Sequence, residues 1–528
     1  MKSNAKNIRK INWPWLIFGA VFLATIVIAV CLNFNSADHS ATKILSAIDI
    51  DNSDQKINWD KYQTTEITLP EISAITKSGT YHLTGNLTGA PIMVDSEAGE
   101  VRLILDNVTV DNSTGPAILC SNASDLVIEL VGDNSLQDGS SYENYDEDIT
   151  GAIYSKADLF IGGEGSLTIN AKNQTAIKGK DDVKFSGGNY NISAPKDAIH
   201  GKNSVYFVDG KFTISAVENA IETTNETDYG KGFILVEGGE FSISAGQKGF
   251  KSVKNLLFYD GNINITSFDD SIHANNYVGI IGGDFNIGAG DDAIHADREL
   301  IIDGGKVNVT KSYEGLEAQV VTINGGQISV TSSDDGINAG GGADDSSTNR
   351  AGANNFADDE DCVLSINGGE IYINAAGDGV DSNGYLIFNG GKTVIDGPTD
   401  DGNGALDSGL GINIQGGEVV AVGSSGMAES LGTDGAVCNL SVYFDSYQAV
   451  GTQIEIKDSN NTIIVSHTTA KKFNHLAAGT DKFTLGDTYS IYLNGEKYSD
   501  FTITSVSTTV GNGNRNFQNS PNNNSPRR

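Results

Sequence analysis

Phe268-Asp269-Asp270-Ser271-Ile272-His273, Gly290-Asp291-Asp292-Ala293-Ile294-His295, Tyr313-Glu314-Gly315-Leu316-Glu317 and Ser333-Asp334-Asp335-Gly336-Ile337-Asn338 state nearly the same pattern four times. The second acidic residue falls at 270, 292, 314 and 335, in steps of 22, 22 and 21. A period of that size marks a stacked repeat, in which each coil buries its apolar face only against its neighbours. Residues one period apart then sit on adjacent rungs, roughly 4.8 Å from each other. Carboxylates in such a column repel and raise one another's pKa. A hard divalent cation relieves the repulsion, and Ca²⁺ accepts many carboxylate oxygens in irregular geometry.

Outward from this stretch the same unit recurs: an apolar strand, a Gly-Gly or Asp-Gly turn, a second strand and a small-apolar corner. The second Gly of the turn falls at 188, 210, 239, 261, 283, 305, 326, 369, 391 and 417. Most steps are 21 or 22, with excesses at 222–232 and 339–361 that read as loops leaving the stack and returning. The second of these is rich in Gly, Ser, Asn and Asp, a composition that suits a mobile loop. No stretch has a 3.6-residue apolar period, which excludes helical arrays and leucine-rich horseshoes. The expected fold is all-β, a right-handed parallel β-helix, because parallel crossovers are right-handed almost without exception. Its inward ladder would run through Ile265, Ile272, Ile287, Ile294, Val309, Leu316, Val330 and Ile337.

The ends differ. Lys2, Lys6, Arg9 and Lys10 precede an uncharged apolar run at 13–32, long enough to span a bilayer. A single-pass signal anchor is the preferred reading of 1–34. A lipoprotein signal ending at Cys31 and a cleaved signal peptide are the alternatives, and all three export the rest of the chain. Residues 35–66 read as a polar spacer, and 67–427 as the β-helix. The period stops beyond that. Residues 428–510 carry strands at antiparallel spacing with Asn494-Gly495 as a hairpin signal, a small β-sandwich-like cap over the open end. The Asn-rich segment 511–528 reads as a disordered tail.

Composition narrows the partners. The formal net charge of −34 argues against nucleic acid and against an anionic membrane face. Gly at 63 with Pro at only 8 fits tight turns between strands. The four Cys have no metal-ligand spacing and suggest isolated thiols.

Three motifs together carry a resemblance. They are Tyr313-Glu314-Gly315-Leu316-Glu317-Ala318, Asp334-Asp335-Gly336-Ile337-Asn338-Ala339-Gly340-Gly341, and Gly402-Asn403-Gly404-Ala405-Leu406-Asp407 followed by Gly423-Ser424-Ser425-Gly426-Met427. They resemble the clostridial carbohydrate-binding domain-containing family over about 67–509. That resemblance implies a calcium-loaded right-handed β-helix on the surface of anaerobic bacteria. It also implies that the helix binds acidic pectic sugars and is similar to the calcium-dependent pectate lyases.

The expected Ca²⁺ ligands are Asp269, Asp270, Asp291, Asp292, Glu314, Glu317, Asp334, Asp335, Asp378 and Asp381. In each corner the second acid and the residue three later flank an inward apolar side chain, so two rungs offer four to six oxygens. The competing reading is that Asp and Asn at corners cap backbone N–H groups. Lys248 and Lys251 stand one rung before Asp269 and Asp270, where they can pair with those acids or meet a sugar carboxylate. His273 and His295 read as outward and hydrogen-bonded. They lack the further Cys or His that soft-metal ligation needs, and with Asn338 they are expected to line the ligand. No catalytic residue is expected. A lyase needs a base at the sugar C5 proton, and only Lys248, Lys251 or Arg298 is near the acidic column. The main expectation is a non-catalytic, surface-anchored protein that holds acidic polysaccharide through Ca²⁺, with polygalacturonate as the sugar the resemblance implies. A calcium-dependent lyase and a calcium-stiffened stalk are the alternatives.

Overall fold

Short alternating apolar runs closed by glycine can bury one face only by stacking coil on coil. The computed structural model describes residues 40–71, 73–97, 99–340 and 358–512, and it has that architecture. One coil consists of strands Ile272–Ala274, Tyr277–Ile280 and Asp284–Gly288. Each strand pairs in parallel with its counterpart one period on: Ile272 with Ile294, Val278 with Leu300, Ile287 with Val309. The first column continues in register from Leu316 through Ile337, Val380 and Leu406. The result is a β-solenoid of about 14 turns.

The eight inward residues expected from the period are all exposed by 1% or less. Between residues 185 and 285 the ladder turns aromatic, with Phe185 on Phe207 at 5.1 Å and Phe212 on Phe241 at 4.9 Å. All ten turn glycines have φ between +75° and +139°, the left-handed region that a side chain disfavours. A Cβ at Gly305 would also lie 2.8 Å from the Gly283 carbonyl oxygen on the coil before. The turn column therefore requires glycine twice over. Of the two insertions, 222–232 is pinned by Asn225, whose Oδ1 accepts from the Thr227 and Asp228 N–H groups. Most of the second insertion lies outside the described residues.

The far end is closed as expected. Strand Phe473–Thr480 adds antiparallel to Glu418–Gly423 of the last coil, and Asn439–Gln448 adds beyond it. A separate four-stranded antiparallel sheet covers this layer. Val420 and Val422 point from the solenoid into the cap's own core with Ile454, Phe473 and Ile491.

At the near end the described part of the polar spacer, from residue 40 on, lies against the solenoid. The short helix Ala41–Ala47 lies on the outer face of the second strand column, where Ile44 packs with Tyr206, Phe233, Leu235, Leu257 and Ile301. The Ser40 hydroxyl and the Ala41 N–H both donate to Asp303, at 2.6 and 2.9 Å. From there the chain runs back along the stack. Asp49 N–H donates to the Gly230 carbonyl, Lys184 pairs with Asp54, and Lys61 pairs with Glu100, before strand Thr64–Leu69 opens the first coil. The segment has no apolar period because its partners are the outward residues of distant coils. The apolar segment 13–32 and the tail beyond 512 lie outside the described residues. Among the described residues no helix is long and apolar enough to cross a membrane.

Candidate cation-binding edge

The corner before the first strand column brings two files of side chains to one edge of the solenoid. Backbone bonds between coils fix the first file. Gly249 N–H donates to Asp270 O, Ser271 to Asp292, Ala293 to Glu314, Gly315 to Asp335 and Gly336 to Asp378. Lys248, Asp270, Asp292, Glu314, Asp335 and Asp378 therefore stack in that order. Strand register fixes the second file as Glu222, Lys251, His273, His295, Glu317, Asn338, Asp381 and Asp407. Asp269, Asp291 and Asp334 flank the first file. The residues expected to gather from the sequence do gather.

The upper rungs are neutralised in part: Lys248 and two imidazoles face their carboxylates, while burial, Glu317 and Asp270 still raise Asp292. Lys248 Nζ pairs with Asp269 at 3.1 Å and also contacts Asp270. Asp270 accepts from His273 Nδ1 at 3.0 Å, and its other oxygen accepts from the Asp292 N–H. Burial raises the Asp270 pKa, but the His273 bond and the Lys248 charge outweigh it and hold the carboxyl below its usual range. Lys251 does not meet Asp269 or Asp270. It pairs with Glu222 at 2.8 Å, where the His200 bond and then the Lys251 charge overcome burial and draw that carboxyl down to about 2. His273 and His295 are hydrogen-bonded as expected, but they are covered by the corner, being only 4% and 1% exposed. His295 Nδ1 lies 3.0 Å from both Asp292 and Glu317.

The lower rungs are not neutralised. Burial and the neighbouring Asp334 push Asp335 up to about 7. Burial and Asp335 push Asp378 to about 9, and burial, Asp335 and Asp407 push Asp381 to about 8. Glu314 is raised by burial and by Glu317, Asp292 and Asp335. Capping accounts for only part of this file. Asp335 Oδ1 accepts from the Asp378 N–H at 2.6 Å, and Asp378 Oδ1 from the Gly404 N–H at 2.5 Å, one oxygen in each case. Asn338, 8% exposed, donates to Glu314 at 3.0 Å while its Oδ1 has no hydrogen-bond partner.

Comparison with known proteins bears on what such an edge serves. The sequence model of the carbohydrate-binding domain-containing proteins matches residues 71–315 and 267–348, together more than half of the chain. The chain belongs to this family. A carbohydrate-binding domain-containing protein of Acetivibrio thermocellus is 31% identical over 188 residues. That match takes in 34% of this chain and 65% of the relative, so the chain spans less than two thirds of the relative's length. A solved polysaccharide lyase-like protein from C. thermocellum, a gadolinium derivative, is 28% identical, covering 43% of this chain and 86% of that one. Its TM-score of 0.37 is too low for the overlay to carry an argument.

In this carbohydrate-binding domain the structure adds residues that spacing alone did not single out. Asp297 lies 3.3 Å from His295 Nε2 and 4.0 Å from His273 Nε2, and Asn275 lies 3.2 Å from His273 Nε2. Both follow a histidine by two positions, in His273-Ala274-Asn275 and His295-Ala296-Asp297. That shared offset was the available signal. His200, between Asp197 and Glu222, repeats the arrangement more loosely at 3.7 and 3.6 Å.

Proposed function

We propose that this protein binds acidic polysaccharide through Ca²⁺ held at the lower rungs, without cleaving it. The observation that carries this reading is the group Asp335, Asp378 and Asp381, three carboxyls raised by burial and by neighbouring carboxyls. Family membership supports a carbohydrate ligand, and the preference for a pectin-like uronate rests on the resemblance of the corner motifs.

The donor set suits calcium. Glu314, Asp335, Asp378 and Asp381 offer carboxylate oxygens, and the Asn338 Oδ1 offers a neutral one with no other partner. Bound there, Ca²⁺ would supply positive charge that protein and sugar carboxylates share, reconciling a net charge of −34 with an anionic ligand. Beside the edge Phe268 is 73% exposed, with Gly246 and Gly290 at the matching corner position of the neighbouring coils. Its uncovered ring offers an apolar face to the C–H side of a sugar ring. Lys248 and Lys251, two of the three bases a lyase would draw on, are tied to Asp269, Asp270 and Glu222. The apolar segment 13–32 would hold the domain at the outer face of the cell membrane.

Polygalacturonate in a retention assay with the full-length protein tests the proposal. The polymer should be retained with Ca²⁺, released by chelator and recovered at its original length. A lyase would instead produce unsaturated uronate, seen as ultraviolet absorbance climbing with time and protein concentration. Calcium binding with neither retention nor cleavage would leave the metal a purely stiffening role.

A further inference from the structure

The buried histidine pair is the part of the edge that calcium does not explain. His273 and His295 stack with ring centroids 5.0 Å apart and planes inclined by 25°. Each sets its Nδ1 against a buried carboxylate, Asp270 or Asp292, at 3.0 Å. Metal-bound histidines are held in this way, by a carboxylate on the ring nitrogen that faces away from the ion. On the Nε2 side a third carboxylate waits. Asp297 Oδ1 lies 3.3 Å from His295 Nε2 and 4.0 Å from His273 Nε2. Neither His295 Nε2 nor Asp297 Oδ1 has a hydrogen-bond partner, although both atoms are buried and His295 is only 1% exposed. The two atoms meet each other only as an ion pair without hydrogen-bond geometry, an arrangement that a cation between them would satisfy.

We propose that His273, His295 and Asp297 form a site for one divalent transition-metal ion of the zinc type, separate from the calcium rungs. Ligands 2.0–2.1 Å from a tetrahedral centre lie about 3.4 Å apart. The 3.3 Å from His295 to Asp297 and the 3.2 Å from His273 Nε2 to Asn275 Oδ1 fit that spacing, and the 4.0 Å needs only a small closure. The chemistry separates the two classes of site. Imidazole nitrogen suits Zn²⁺, Co²⁺ or Ni²⁺, whereas an all-oxygen set suits Ca²⁺. Asn275 supplies a neutral fourth donor, so the ligands bring a single negative charge to a dication. The remaining positive charge faces Asp270, Asp292 and Glu317, which already surround the imidazoles. The ion would clamp coils that meet there only through short strands, Ile272–Ala274 against the start of Ile294–Ile302.

The test uses the full-length protein, stripped of metal and then held in millimolar Ca²⁺, so that calcium sites are filled before Co²⁺ or Zn²⁺ is added. The proposal expects one tightly held equivalent that excess Ca²⁺ does not displace. It also expects visible d–d absorption from Co²⁺ of the strength a nitrogen-containing tetrahedral site gives. His295→Gln and Asp297→Asn should each weaken Zn²⁺ retention at least tenfold, while Glu314→Gln with Asp335→Asn leaves it unchanged. Absence of the equivalent, its displacement by Ca²⁺, or a colourless Co²⁺ complex overturns the proposal on the unmutated protein, whatever the variants do. Retention unchanged in a folded His273→Gln, His295→Gln double variant overturns it as well. Since calcium is present throughout, these outcomes do not depend on whether polygalacturonate is bound.

Discussion

The upper and lower rungs of the edge have the same backbone and nearly the same spacing, yet they solve the problem of buried charge in opposite ways. Above, Lys248, His273 and His295 face Asp270, Asp292 and Glu317, so each of these buried carboxylates has a partner of the protein's own. Below, Glu314, Asp335, Asp378 and Asp381 follow one another with Asn338 as the neutral member, and all four carboxyls ride up in pKa, as only Asp292 does above. A few substitutions along a stacked file are enough to turn a self-neutralised stretch into a cation receptor. The scaffold does not decide the chemistry of an edge; the sign of each successive side chain does.

The comparison can be broken from its upper half first. Lys248→Met should cost about 3–5 kcal/mol, the usual loss when one partner of a buried pair is removed, because Asp269 and Asp270 would keep their burial and lose their cation. Denaturant unfolding measures it, and a loss below about 1 kcal/mol would mean the upper rungs are not self-neutralised.

The lower half should respond to calcium. One site at a hundredfold excess over its Kd contributes about 2.7 kcal/mol, so thermal melts with Ca²⁺ and with chelator should separate. Glu314→Gln with Asp335→Asn should lose at least one bound ion and most of that separation while keeping the strand signal in circular dichroism. Superimposable melts for the unmutated chain would remove calcium from the lower rungs.

Without metal the lower half should also reveal itself by pH. Asp335, Asp381 and Asp378 have folded pKa values of about 7, 8 and 9, above those of unfolded carboxyls near 4. Between those limits the folded chain binds more protons than the unfolded one, so stability is highest at the acid end and falls as pH rises. Chelated protein should therefore unfold more easily at pH 8.5 than at pH 5.5, and saturating Ca²⁺ should flatten or reverse the trend. Greater stability at pH 8.5 in chelator would contradict the uncompensated cluster.

The smallest expected effect on the fold is Phe268→Ala. An exposed ring should change stability by no more than about 0.5 kcal/mol, yet polygalacturonate retention should weaken several-fold. Unchanged retention would take the sugar off that side of the edge.

Much of this was readable from the chain because a period constrains every coil at once. The turn glycines, the Ile272–Ile294–Leu316–Ile337 ladder and the acidic file all follow from one spacing, and the structure has them where the spacing puts them. What escaped were contacts the period does not encode. His273 and His295 looked outward because they alternate with the inward ladder, and their burial depends on the corner closing over them. Lys251, placed by its spacing to pair with Asp269 or Asp270 or to meet a sugar carboxylate, reaches back to Glu222, a choice of rotamer that spacing leaves open. Residues 40–62 lacked any pattern because their apolar contacts are few and irregular, and a partner such as Asp303 is 263 residues from Ser40 in sequence.

That last contact has a mechanical consequence. The chain meets the solenoid at Asp303, deep within the stack, and only then runs back to open the first coil at Thr64. A pull applied from the N-terminal side of residue 40 would load the Ser40–Asp303 and Lys43–Glu299 contacts and the seat of Ile44 before it reached the first coil. The end coil, whose strands could otherwise be peeled away one at a time, is the last to feel the load. Tension from a tether would be carried in shear along the flank of the stack, and the N-terminal segment would serve as its strain relief.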